Sequence, residues 1–179
     1  EVYRTGLEDL RHRIDVALYG AELVELLGSE RLDPLARNGK LFEFLSSQEY
    51  QGAPLLERLG GWLGEGRIFR GREIIAYHKN WIYFTDLFGL EIVDYVEPKP
   101  GIPPSARHVH ELIQTIEKEE IPVILTANYF DPRKPAKLAD RTGATALIVP
   151  LEPGGEAESY FDLIDLWVDG LARAFGGGS

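Results

Sequence analysis

The 179-residue chain contains neither cysteine nor methionine. Without cysteine there can be no disulfide, no zinc–thiolate centre and no thiol nucleophile. The absence does not identify a compartment, but it suits an oxidising one, where a stray thiol is a liability. Because methionine is absent, the opening at Glu1 reads as a processed form or a fragment. No apolar run approaches the ~20 residues that a membrane-spanning helix needs. Basic residues are few: 19 Lys and Arg stand against 29 Asp and Glu, for a net charge of −10. They are also scattered among acids, as in "RHRID" and "DPRKPAKLADR", which argues against a nucleic-acid partner. Neither G-x-S-x-G nor H-E-x-x-H occurs, so hydrolase and zinc-protease chemistry lack a visible nucleophile or base. "GEGRIFRG" (64–71) is no phosphate loop, since it precedes a strand pattern and lacks the Gly-Lys-Ser/Thr ending.

What remains is a composition able to build a core, with 44% hydrophobic and 27% charged residues, sized for one domain or one domain with an appendage. Two zones differ. Residues 1–66 read as helical throughout, beginning with a stripe at Leu7, Leu10, Ile14 and Leu18. In the same zone "PLLERLGGWLGEG" reads as a helix weakened at Gly60-Gly61. Residues 67–179 alternate strand and helix. The strand patterns are "EIIAY", "EIVDYV", "PVILTA" and "TALIVPL", with helical segments between them and an amphipathic segment, "ESYFDLIDLWVDGLARAF", after the last. Ser105 stands at an N-cap position and Gly143 at a C-cap position. The pattern predicts an α/β fold: a small parallel sheet of about four strands with helices on both faces, preceded by a helical N-terminal region. Right-handed crossovers then bring the C-terminal ends of the strands to one edge, with His78, Glu97, Asn128 and Glu152 at or just beyond them.

His78 is the leading candidate for chemistry. A neutral imidazole held by a strand end can ligate zinc or manganese, act as an acid or base, or simply be the polar end of a strand. Glu152, in the Pro- and Gly-rich "VPLEPGGEAESYF", could complete a metal shell with it or be a solvated loop acid. Glu97, before "PKPGIPP", has the same two readings. His108 and His110 are two apart on a helix and point to different sides, so they read as surface histidines. His12, flanked by arginines, reads the same way. Trp81, Phe84 and Phe88 share one helical face and are expected to be core, with Tyr83 off that stripe.

Over residues 67–175 the order of features resembles the C-terminal lobe of the cluster A-I solute-binding proteins, the zinc and manganese receptors of bacterial ABC importers. The features are Tyr77-His78, the aromatics Trp81, Tyr83 and Phe84, then Phe88-Gly89-Leu90, "VDYVEPKPGIPPS", "IPVILTANYF" and "KLADRTGATALIVPL". The resemblance implies a non-enzymatic metal-binding module with His78 as the C-lobe histidine ligand and Glu152 near the place of the family's fourth ligand, an aspartate. It also implies an ABC permease as partner and a periplasmic or extracellular location, tethered to the membrane in Gram-positive hosts. Lys79 stands where many members have Asp, and Thr126-Ala127-Asn128 replaces an edge that carries an acid in others. The two N-lobe histidines, one of them in an N-P-H-x-W motif, have no counterpart here. The chain therefore resembles half a receptor. Residues 1–66 would be the end of the inter-lobe helix plus a helical insertion, and residues 67–179 the C-terminal lobe, expected to bind Zn2+ or Mn2+ weakly until the missing N-terminal lobe completes the site. Two other readings stay open: an α/β enzyme with His78 as general base beside Glu97 or Glu152, and a non-catalytic interaction domain.

Overall fold

A computed structural model describes residues 2–99 and 101–176. The chain divides into two compact units, meeting in sequence at Arg67 and Ile68.

The first unit is mainly helical: α1 (Val2–Tyr19), α2 (Ala21–Leu27), α3 (Ser29–Arg37), α4 (Leu41–Ser47) and α5 (Gly61–Glu65). Its buried residues include Leu23, Leu32, Leu41, Leu45, Trp62 and Leu63. The stripe on α1 is only partly used, because Leu7 and Leu10 are exposed while Ile14 and Leu18 are half-buried. The Gly60-Gly61 pair splits its segment outright, into a 3-10 turn at Leu55–Arg58 and the short α5. A side chain is impossible there: at Gly61, φ is +57° and a Cβ would lie 2.3 Å from the Ala17 carbonyl oxygen. The helical expectation for residues 1–66 needs one correction. A two-stranded antiparallel hairpin, β1 (Glu49–Tyr50) and β2 (Ala53–Pro54), sits within it. Its turn residues Gln51 and Gly52 both have positive φ, as a tight two-residue hairpin turn requires.

The second unit is the expected α/β layer structure. Strands β3 (Glu73–Ala76), β4 (Glu91–Tyr95), β5 (Val123–Ala127) and β6 (Thr145–Val149) form one parallel sheet in the order β4-β3-β5-β6. The helices are α6 (Ile82–Phe88), α7 (Ala106–Lys118), α8 (Arg133–Thr142) and α9 (Tyr160–Ala174). Strand alternation assigns the two faces. Ile75 and Ile124 pack with Leu112, Ile113 and Ile116 of α7 and Leu138 of α8. On the opposite face, Leu147 pairs in register with Leu125 and approaches Gly170 so closely that a Cβ there would meet its methyl at 2.9 Å, which seats α9. Phe84 of α6 stacks on Phe88 and meets Trp167 of α9 edge-on at 5.4 Å. The central β5 is buried at every position, whereas the edge strand β4 is not. Ser105 caps α7 by accepting from the His108 N–H, and Gly143 ends α8 in the left-handed conformation. Ser159 and Asp162 form a reciprocal capping box at the start of α9.

Candidate functional site

The parallel ladder runs to the ends of its strands and aligns them. Tyr77 donates its N–H to the Leu125 carbonyl at 2.8 Å, Val96 to Ala76 at 3.0 Å, Glu97 to Tyr77 at 2.8 Å, and Asn128 to Val149 at 2.9 Å. His78 is thus the first residue beyond the ladder on β3, a central strand, at the edge where ligands of such sheets bind. The chain leaves it by a tight turn in which Asn80 donates back to the His78 carbonyl at 2.9 Å. The imidazole is half-buried and stacks on Phe130, ring centres 6.0 Å apart. Phe130 in turn lies 4.4 Å from both Tyr77 and Tyr129. The Asn80 amide donates to the Tyr129 hydroxyl at 2.9 Å, so the connections after β3 and β5 are tied together across the edge. Lys79 directs its ammonium over the Tyr95 ring at 5.6 Å.

Each strand of the sheet is followed in sequence by an exposed apolar side chain. Ile82 and Tyr83 follow β3, Ile102 follows β4, Tyr129 follows β5 and Tyr160 follows β6. Tyr83 is 90% exposed. Trp81, Phe84 and Phe88 are buried, as their shared helical face predicts.

Glu152 lies in the exposed loop after β6, a loop closed by the Gly154 N–H donating to the Ala157 carbonyl at 2.6 Å. In the sheet order β6 stands two places from β3, a backbone separation of about 10 Å at normal strand spacing. Among the described residues, no three His, Asp or Glu side chains gather closely enough to hold a metal ion. Glu97 turns inward. It is buried, and its Oε1 accepts the Gly101 N–H at 2.8 Å, which fastens the Pro-rich connection. Burial raises the Tyr77 phenol above its ordinary value, with Lys134 and Glu97 near enough to act on it in opposite directions. Of the other histidines, His12 and His110 are exposed. His108 departs from the surface reading: it is half-buried, with Nε2 at 2.8 Å from the Tyr95 carbonyl. A side chain three residues into a helix whose cap is Ser105 reaches back to the end of β4, a contact that residue spacing does not reveal.

Comparison with known proteins places this geometry. No curated protein sequence matches the chain. Among solved structures, a manganese-bound periplasmic metal-binding protein (a point mutant) from Candidatus Liberibacter asiaticus is similar at 15% identity, with TM-score 0.50 over 60% of this chain and 42% of that one. The laminin-binding protein Lbp of Streptococcus pyogenes is similar at 16% identity, with TM-score 0.50 over 64% of this chain and 46% of that one. The chain thus spans under half the length of these structures, and the likeness is one of fold. The family "Zinc-uptake complex component A periplasmic" (ZnuA) matches residues 60–174, more than half of the chain. The chain belongs to this family, a group of metal-binding solute-binding proteins and not of enzymes.

Proposed function

We propose that this chain is the C-terminal lobe of a zinc or manganese receptor serving a bacterial ABC importer, and that the metal is its cargo. In this reading residues 67–179 form the lobe, and residues 1–66 comprise the end of an inter-lobe helix followed by a helical insertion. His78 is a metal ligand and Glu152 a second one, reaching across the strand-end edge from β6. A lobe preceding this one supplies the remaining ligands, and the closed receptor docks on a membrane permease. The location is the periplasm or, in Gram-positive hosts, the outer face of the membrane. Among the described residues no helix is long and apolar enough to cross a membrane.

The observation that carries the reading is the setting of His78. A half-buried imidazole stands just beyond the end of a central strand, stacked on Phe130, with the connections after β3 and β5 tied together beside it by Asn80 and Tyr129. An imidazole and one carboxylate leave two positions of a tetrahedral zinc shell unfilled, so the chain alone is expected to bind zinc weakly. Imidazole-rich shells favour zinc and carboxylate-rich ones favour manganese, so the ligands of the preceding lobe decide the preference. The test is calorimetry with zinc and with manganese, on this chain and on a chain extended at its N-terminus. The reading expects tight binding only in the extended chain and its loss in His78→Ala. Tight binding that survives His78→Ala would remove His78 from the site.

A further inference from the structure

A groove of about 570 Å³ opens between α7 and α8 and reaches the end of β4 at Val96. Its apolar lining comes from Val96 at the end of β4, Val109, Leu112 and Ile113 of α7, Leu138 of α8, and Pro103 and Pro104 of the connection before α7. Its charged lining is Lys134, Lys137, Asp140 and Arg141, all on α8. Positions 134, 137 and 141 fall on one face of a helix, so three cations border the groove against a single acid.

Those cations stand against an overall acidic chain. The net charge is −10, and the neighbouring basic residues are satisfied locally, Arg133 by Asp131 at 2.8 Å and Arg107 by Glu111 at 2.8 Å. Lys137 and Arg141 have no ion-pair or hydrogen-bonding partner for their side chains among the described residues, although acids outnumber bases in the sequence by 29 to 19. Lys134 points toward the Tyr77 phenol. An apolar trough of this size lies within the range of small-molecule sites, roughly 300–1,000 Å³, which are typically apolar with a few convergent polar groups. The lysine and arginine stems add to the apolar wall while their heads remain available to an anion, and a guanidinium is suited to bidentate carboxylate binding.

We propose that the α7–α8 groove binds a small amphiphilic anion, a carboxylate on an apolar body, with the body on Leu112, Ile113 and Leu138 and the carboxylate at Lys137 and Arg141. The volume is that of a small-molecule site, and three cations against one acid favour an anionic head group on the ligand.

The experiment titrates the full chain with decanoate, 4-phenylbutyrate, decanol and decyltrimethylammonium, followed by calorimetry and by methyl shifts of Val109, Leu112, Ile113 and Leu138. The expected result is saturable, one-to-one binding of at least one carboxylate, at least about tenfold tighter than decanol, with no binding of the cation. The double variant Lys137→Gln/Arg141→Gln should weaken it about tenfold or more. Both side chains are exposed, so the fold is not at risk, and circular dichroism verifies this. Binding of neither carboxylate, equal binding of decanol or the cationic amphiphile, or full affinity in the double variant would overturn the proposal. So would an acidic amphipathic peptide that displaced the carboxylate and bound more tightly.

Discussion

The backbone N–H of Lys79 donates to Nδ1 of His78 at 2.7 Å. Nδ1 is then an acceptor, and the neutral ring carries its proton on Nε2. A metal at Nε2 requires that proton to move to Nδ1, where it would face the Lys79 N–H. A metal at Nδ1 has to displace the N–H itself. Either route breaks a contact, and metal-binding histidines ordinarily use their second nitrogen as a donor. With that contact to break and only His78 and Glu152 to offer, this chain is expected to bind zinc more weakly than about 1 µM. It should also shift the Lys79 amide resonance along with the His78 ring. Zinc binding that left the Lys79 amide unmoved would contradict this coupling.

Phe84 is buried between Phe88, ring centres 4.3 Å apart, and Trp167. Phe84→Ala should cost about 3–5 kcal/mol in denaturant unfolding, as large-to-small changes at packed aromatics do. Tyr83, next to it and 90% exposed, should tolerate Ala within about 0.5 kcal/mol. Similar costs at the two positions would contradict the assignment of faces on α6.

The strand–helix order, the caps at Ser105 and Gly143, and the buried face at 81, 84 and 88 were legible in sequence because each follows a local rule of period or backbone freedom. The hairpin at Glu49–Tyr50 and Ala53–Pro54 was not, since two-residue strands are too short to show alternation. Gln51-Gly52 is the signal that could have found it. The stripe on α1 reads as a buried face, yet Leu7 and Leu10 are exposed, because periodicity reports a capacity for burial and not its partner. At the candidate site, the position of His78 followed from topology. The inward turn of Glu97 and the reach of His108 to Tyr95 depend on tertiary contacts that spacing does not encode.

Tyr19 is buried and donates its hydroxyl to Asp33 at 3.0 Å. Burial first, and then the Asp33 and Asp15 carboxylates, push its phenol well above the ordinary tyrosine value. A raised folded-state value favours the protonated phenol, so its stabilisation is complete below about pH 10 and is lost as pH rises from there toward the folded-state value. Unfolding free energy should accordingly fall with rising pH in the alkaline range. Tyr19→Phe should flatten that slope while costing about 1 kcal/mol near neutrality through the lost hydrogen bond. An unchanged alkaline slope in the variant would contradict the role assigned to Tyr19.

Gly61 and Gly28 separate two costs of a side chain. Both have positive φ, at +57° and +72°, but a Cβ at Gly61 would strike the Ala17 carbonyl whereas nothing lies within 4 Å at Gly28. Gly28→Ala should cost about 1–3 kcal/mol for the backbone conformation alone, because ψ of 150° puts it in a region that is essentially glycine's own. Gly61→Ala should cost at least about 2 kcal/mol more, or shift α5 off α1. Equal costs in thermal or denaturant unfolding would show that the α1–α5 contact yields freely.

The central claim is that His78 is a ligand in a site this chain only partly supplies. Zinc calorimetry on the chain, on an N-terminally extended chain and on the extended His78→Ala variant tests it most directly. The account predicts weak binding in the first, tight one-to-one binding in the second and a loss of at least about a hundredfold, near 2.7 kcal/mol, in the third. Tight binding by the chain alone that persists without the His78 imidazole would contradict it.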